Sequence, residues 1–205
     1  MTSVSRETRA DLETYVTELR RWQARINLVS KQTLDDAWER HVEDGLQLFD
    51  LAPPNARRWI DLGTGGGSPG LVVAIALKDR PGAQVHLVES NAKKCAFLRH
   101  VAGLTKAPVT VHDRRIERFF EADPRADVVS ARALAPLTQL LAWSAETLST
   151  GAIGLFPKGE RVEAEIAEAR LAHDFNATLE PSRTSAEARI VRITAYRGPR
   201  DAPRP

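Results

Sequence analysis

A doubly wound α/β fold, with a mostly parallel sheet and a helical N-terminal extension, is what this 205-residue sequence predicts. Three observations predict it. From residue 58 onward, short apolar runs alternate with helical stretches in strict β/α order, which demands right-handed crossovers and helices on both faces of a parallel sheet. The first apolar run ends in GTGGGSPG, a strand-to-helix turn of the kind in which a ligand can lie against bare backbone. Before it, two stretches carry apolar residues at intervals of three and four, with nothing strand-like between them.

The first helix is expected over residues 11–28, where Leu12, Val16, Leu19, Trp22 and Ile26 form one stripe of a 3.6-residue period. A second, over residues 34–51, repeats the stripe through Leu34, Trp38, Val42, Leu46 and Phe49, with Asp35 and Asp36 at the end where a helix favours negative charge. Pro53, Pro54 and Asn55 break the pattern. Strands follow at 58–62, 84–89, 109–111, 126–130 and 152–156, separated by helices at 69–78, 92–103, 137–148 and 160–172. Residues 175–179 and 188–196 read as terminal, antiparallel strands; in the second, Ile190, Arg192 and Thr194 face opposite to Val191, Ile193 and Ala195. The organisation is therefore a helical extension (1–52) packed on an α/β domain (53–197), with a loose Pro-rich tail (198–205).

Hydrophobic residues at 42% and charged residues at 27% exclude a disordered or fibrous chain. No run approaches the roughly 18 to 20 apolar residues of a membrane span. The N-terminus lacks an apolar signal region, so a soluble, cytoplasmic protein is expected. One cysteine, Cys95, and five scattered histidines offer neither a disulfide nor ligand spacing, so no metal is expected. Residues 1–50 carry 7 basic and 10 acidic groups, whereas residues 51–110 carry 8 basic and 3 acidic, a local excess of +5. That bias suits a polyanionic partner, although a solvated basic surface gives the same count.

Gly63, Gly65, Gly66, Gly67 and Gly70 fall within eight residues, more than a plain βα turn needs. Pro69 suits the first turn of the following helix. Gly65, Gly67 and Gly70 satisfy G-x-G-x-x-G, the dinucleotide fingerprint. A dinucleotide, however, brings its pyrophosphate to the helix N-terminus, and Asp61, two residues before the first glycine, would sit close to that negative charge. A carboxylate there better matches a ligand with positive charge, such as the ammonium and sulfonium of S-adenosylmethionine. Glu89, ending the second strand, could accept ribose hydroxyls of either cofactor. A nicotinamide-dependent oxidoreductase and a non-catalytic RNA-binding assembly protein remain the alternatives.

Several further motifs occur in order: LRRWQARINLV, WERHVEDGL, IDLGTGGGSPGL, VESNAKKCAFLR, RIE, VVSARALAPL and PKG. Together, from about Tyr15 to Gly159, they resemble the ribosomal RNA small subunit methyltransferase G family, also called glucose-inhibited division protein B. The sequence departs from that family's pattern at Gln23, Gly45, Ser68 and Ala131. The resemblance implies a class I, Rossmann-like methyltransferase that moves a methyl group from S-adenosylmethionine to N7 of one guanine in small-subunit ribosomal RNA, free or within the small (30S) subunit. It implies that Gly63 and Ser68 line the cofactor loop, that Ile116 and Glu117 hold the adenine, and that Arg132 reaches the cofactor or the target as the catalytic residue. Arg115 and Lys158 join the same rim, and Lys93, Lys94 and Arg99 lie on the helix after the second strand, as candidates for RNA phosphates. Guanine N7 carries a lone pair and no proton, so no general base is needed. SARALAP stands where an N-P-P-Y or D-P-P-Y motif would support other base methylations, and Cys95 lies mid-helix rather than in a Pro-Cys turn.

Overall fold

Ser5 starts the first helix: its hydroxyl accepts the Thr8 N–H at 3.0 Å, and α1 runs Arg6–Gln23. In this computed structural model, residues 4–121 and 125–200 are described. The helix stops five residues short of the expected end because the Gln23 side chain turns the chain back. Its Oε1 accepts the Leu28 and Val29 N–H groups at 2.9 and 3.1 Å, and its Nε2 donates to the Val29 carbonyl at 2.9 Å. The second expected helix is also corrected. Lys31–Thr33 form a 3₁₀ turn, Trp38–Glu43 a wider π-helical turn, and only Asp44–Leu51 (α2) is regular α-helix. At the end of this wide turn the His41 carbonyl accepts both the Asp44 N–H and, at 2.8 Å, the Ser68 hydroxyl.

The β/α units then follow as β1 (Arg58–Leu62), α3 (Gly70–Leu77), β2 (Gln84–Glu89), α4 (Ala92–Thr105), β3 (Val109–Asp113), α5 (Ile116–Phe120), β4 (Val128–Ala131), α6 (Leu137–Ser149), β5 (Ile153–Lys158) and α7 (Val162–Ala172). The one-and-a-half-turn α5 is too short for a periodic signal and was not expected. β6 (His173–Pro181) and β7 (Arg189–Pro199) close the sheet in the order β3-β2-β1-β4-β5-β7-β6, with only the β5–β7 and β6–β7 pairs antiparallel. The expected tail is partly strand, since Gly198 and Pro199 end β7, and residues 201–205 lie outside the described residues. The face alternation expected for β7 holds: Ile190 packs into one apolar cluster and Val191 and Ile193 into the other, and both Ile190 and Val191 are buried because each face of the sheet there is covered.

Two apolar clusters sandwich the sheet. One joins Trp59, Leu71, Ile75 and Phe97 to Leu12, Tyr15, Val16 and Leu19 of α1 and to Leu46 of α2. The other joins Ile60, Leu62, Val129, Leu140 and Phe156 on the opposite face. Each fully buried side chain of α1 stabilises by about 1.5–3 kcal/mol, so the N-terminal helices are part of the core, with packing continuous across residue 52. Gly45 allows this closeness: a Cβ there would lie 2.6 Å from Val72 on α3. Strand order reverses between β1 and β4, the position where open α/β sheets leave a crevice.

Candidate active site

Asp61 lies beneath the glycine turn rather than in the crevice. It is fully buried, and its carboxylate accepts the Gly70 N–H at 3.0 Å and the Ser130 hydroxyl at 2.6 Å, tying the start of α3 to β4. Burial pushes its carboxyl up to about 6, with the two hydrogen bonds and the Arg132 charge acting in the opposite direction. Above it the turn takes backbone angles that suit glycine, with φ of +60° at Gly63, +54° at Gly65 and +98° at Gly67. The glycines do different work. A Cβ on Gly70 would meet Asp61 and Leu87 at 2.5 Å, and one on Gly63 would meet Leu134 at 2.5 Å; one on Gly65 would have only the Gly63 carbonyl oxygen near it, at 3.8 Å. Gly65 therefore turns bare backbone to open space.

Two long-range contacts fix this turn. The buried Tyr15 hydroxyl donates to the Gly66 carbonyl at 2.9 Å, and burial pushes that hydroxyl well above its ordinary range. The Glu89 carboxylate accepts the Gly65 N–H at 3.0 Å and the Asn91 N–H at 2.8 Å, joining the turn to the start of α4. Asn91 in turn caps α4 by accepting the Lys93 and Lys94 N–H groups.

Across the crevice, Arg132 leaves the end of β4 and reaches the N-terminal extension. Its guanidinium donates to the Arg40 carbonyl at 2.6 Å and the Asp44 carboxylate at 2.5 Å, and lies 3.1 Å from His41 Nδ1. Because an arginine can only donate, His41 Nδ1 accepts, and the imidazole is neutral with Nε2 toward Thr33 Oγ1 at 3.2 Å. Burial, with Arg132 and Arg40 beside it, holds this histidine down to about 4. Asp44 also accepts from Gln47 and from the Thr184 hydroxyl, and Arg40 donates to the Thr184 carbonyl at 3.1 Å, so the β6–β7 hairpin joins the same wall.

Lys158, expected to take a phosphate, is instead only 10% exposed and pairs with Glu165 at 2.7 Å while donating to the Ala135 carbonyl at 2.7 Å. Glu165 also accepts the Leu137 N–H at 2.9 Å. These elements enclose a cleft of about 960 Å³, lined by Gly63–Gly66, Ser68, Lys94, Arg132–Pro136, Lys158 and, from the hairpin, Ser182, Thr184, Ser185, Ala188 and Arg189 among others. Of the expected site residues, Gly63, Gly65, Ser68, Lys94, Arg132 and Lys158 line it, Glu89 supports it, and Asp61 and Gly67 lie behind it. Ile116 and Glu117 sit at the start of α5, after β3, beyond that lining. Lys93, Arg99 and Arg115 are exposed outside it. The sequence assigned no role to His41, Asp44, Glu165 and Leu134, although His41 and Asp44 fall in WERHVEDGL and Leu134 in VVSARALAPL; the partners that define their roles lie far along the chain. Among the described residues no His/Cys/Asp/Glu group could hold a metal, and no helix is long and apolar enough to cross a membrane.

The model of the family described as rRNA small subunit methyltransferase G matches residues 8–190. The ribosomal RNA small subunit methyltransferase G of Methylorubrum populi is 56% identical over 193 residues, covering 94% of this chain and 91% of its own length. That of Parvibaculum lavamentivorans is 49% identical over 203 residues, covering 99% and 90%. Among solved structures, the cofactor-bound Rv0187 from MTB superposes with a TM-score of 0.63 at 17% identity over 92% of this chain and 91% of its own. A putative O-methyltransferase from Klebsiella pneumoniae gives 0.61 at 13% over 90% of each chain. At those identities the likeness is one of fold, that of class I methyltransferases.

Proposed function

That this chain belongs to the rRNA small subunit methyltransferase G family is the premise from which we propose its reaction: transfer of a methyl group from S-adenosylmethionine to N7 of a guanine in small-subunit (16S) ribosomal RNA, in the cytoplasm. The observation that carries the reading is the bare α-carbon of Gly65, facing the cleft where the strand order reverses.

The residues present fit this cofactor. Glu89 retains lone pairs for ribose hydroxyls beyond the two N–H groups it already accepts. Gly63, Gly65 and Ser68 line the loop from which the ligand would be held, and Ile116 and Glu117 stand after the neighbouring strand for the adenine end. Asp61 acts from below, fixing the turn's shape. When bound, S-adenosylmethionine supplies a methyl carbon on a sulfonium, which the guanine N7 lone pair takes as the C–S electron pair returns to sulfur.

No proton leaves N7, so the chain supplies placement rather than a base, and proximity of this kind can contribute about 7–11 kcal/mol. Arg132, held by Asp44, fixes the acceptor wall of the cleft. A thiol nucleophile is not at hand: Cys95 is buried, donates to the Glu89 carbonyl at 3.2 Å, and burial pushes it up to about 11. Lys93, Lys94, Arg99 and Arg115 present cations for RNA phosphates around the cofactor side.

Calorimetric titration should show S-adenosylmethionine binding and no NAD binding. Incubation with small ribosomal subunits from cells lacking this activity should yield 7-methylguanosine by nucleoside mass spectrometry. NAD binding in place of S-adenosylmethionine would restore the oxidoreductase reading. RNA binding without methyl transfer would restore the assembly-protein reading.

A further inference from the structure

The segment Ala133–Pro136, between β4 and α6, gives the cleft an apolar stretch on its β4 side, with Leu28 and Val29 as further apolar residues in the lining. It is held at both ends by ion pairs. Arg132, on one side, is fixed by Asp44 at 2.5 Å; on the other, Lys158 pairs with Glu165 at 2.7 Å, and this pair grips the Ala135 carbonyl and the Leu137 N–H. Between the anchors Ala133 adopts φ +51°, a left-handed conformation that costs a residue with a Cβ roughly 1–2 kcal/mol. That turn lays the Leu134 side chain against the α-carbon of Gly63 and leaves it 36% exposed. Gly63 thus makes room for Leu134, while Gly65 leaves room for a ligand.

From this geometry we propose that Leu134 is a substrate-positioning residue, its exposed face the surface against which the target guanine ring lies with N7 turned toward the methyl donor. The inference rests on the reaction proposed above. A purine has two apolar faces and a polar edge, so an apolar contact fixes the ring plane without a hydrogen bond competing for N7. Methyl transfer leaves the base cationic, and a hydrocarbon surface gives that product no added attraction. Lys94, Arg161 and Arg189 line the same cleft and suit the phosphates on either side of an inserted nucleotide. Leu134 belongs to neither apolar cluster, whereas its neighbour Ala135 packs against one of them, so within this turn it is the Leu134 side chain that is left for the cleft.

The test is single-turnover methylation of small ribosomal subunits by wild type, Leu134→Ala, Leu134→Gln and Leu134→Met, with S-adenosylmethionine affinity measured alongside. Leu134→Ala and Leu134→Gln should slow methyl transfer by about 10- to 100-fold, the scale of a misplaced reactant, with cofactor affinity within about threefold. Leu134→Met should retain at least about one third of the wild-type rate. Wild-type rates in Leu134→Ala and Leu134→Gln would overturn the proposal, as would a parallel fall in cofactor affinity, which would make Leu134 only a support for Gly63. If wild type itself made no 7-methylguanosine, the proposed reaction would fail instead, a result these variants cannot imitate.

Discussion

The glycine turn after β1 and the Arg132–Leu137 segment after β4 leave neighbouring parallel strands side by side, yet different forces hold them. The glycine turn is fixed mostly from within the fold's interior, by a buried carboxylate on a backbone N–H and by φ values that glycine adopts without strain. The β4 segment is fixed from outside, by two ion pairs whose partners come from α2 and α7. The difference is one of force: both sides are tied to the N-terminal helices, the glycine turn through Tyr15 and Ser68 and the β4 segment through Asp44, but only the β4 segment is held by ion pairs.

The comparison would break first at Gly70 and Gly65. Gly70→Val forces a side chain into backbone-bound Asp61 and Leu87, and should cost at least about 3 kcal/mol, the top of the usual overpacking range. For a chain of this length that lowers Tm by roughly 6–12 °C. Gly65→Val meets almost nothing, so its cost is the strained φ, about 1–2 kcal/mol. It should nonetheless lower S-adenosylmethionine affinity by more than about 100-fold. Thermal melts and calorimetry on both variants check the pair; near-native affinity in folded Gly65→Val would remove the glycine turn from the cofactor site.

The same contrast decides what the sequence revealed. β1 and β2 were read to the residue, and the glycine turn was recognised, because apolar runs and glycine clusters are local signals. The separate tasks of its glycines were hidden: only packing shows that Gly63 admits Leu134 and Gly70 admits Asp61. Arg132 was expected at the cleft through resemblance, but its partner Asp44 lies 88 residues away, and no spacing rule joins them. Lys158 looked like any rim cation until its pairing with Glu165 became visible. The π-helical turn at 38–43 was read as helix because its apolar stripe survives the change of hydrogen bonding.

On the acceptor side, Asp44→Ala should come next in size. It leaves Arg132, Gln47 and the Thr184 hydroxyl without their shared acceptor in a mostly buried place, a cost of about 2 kcal/mol once partial solvent exposure is discounted. Methylation should fall at least tenfold because the acceptor wall loosens, which is the scale of a misplaced reactant. Cofactor affinity, set across the cleft, should stay within a few-fold. Equal losses of affinity and rate would mean the two sides are one mechanical unit.

Acid should separate the sides by sign. His41 is held down to about 4, so as pH falls below about 6.5 the unfolded chain takes a proton that the folded one refuses, and stability drops between those values. Asp61 is pushed up to about 6, so the folded chain binds its proton before the unfolded chain does, and stability rises as pH falls from about 6 toward 4. Denaturant melts from pH 7 to 4 should therefore lose less stability in His41→Gln than in wild type, and more in Asp61→Asn. His112, also held down to about 4 by burial and its neighbour His86, contributes the same loss to all three proteins. Parallel curves would show that neither group carries the pH response.

The smallest expected effect concerns α4, which borders the cofactor side. Lys93, Lys94 and Arg99 cannot share one phosphate track: Lys94 lines the cleft, Lys93 is exposed beside it, and Arg99 reaches back to the Val111 carbonyl at 3.4 Å. Each cation that neutralises a phosphate contributes about 0.7 to 0.9 to the slope of log affinity against log salt. The triple alanine variant should therefore flatten the slope for small-subunit RNA by about one to two, with cofactor affinity within a few-fold because no backbone of the glycine turn is touched. A flattening of one traced to Lys94 alone would place the RNA path inside the cleft, between the glycine turn and the β4 segment. An unchanged slope would move the phosphate contacts to Arg161 and Arg189 on the acceptor side, and the basic excess of residues 51–110 would be a solvated surface.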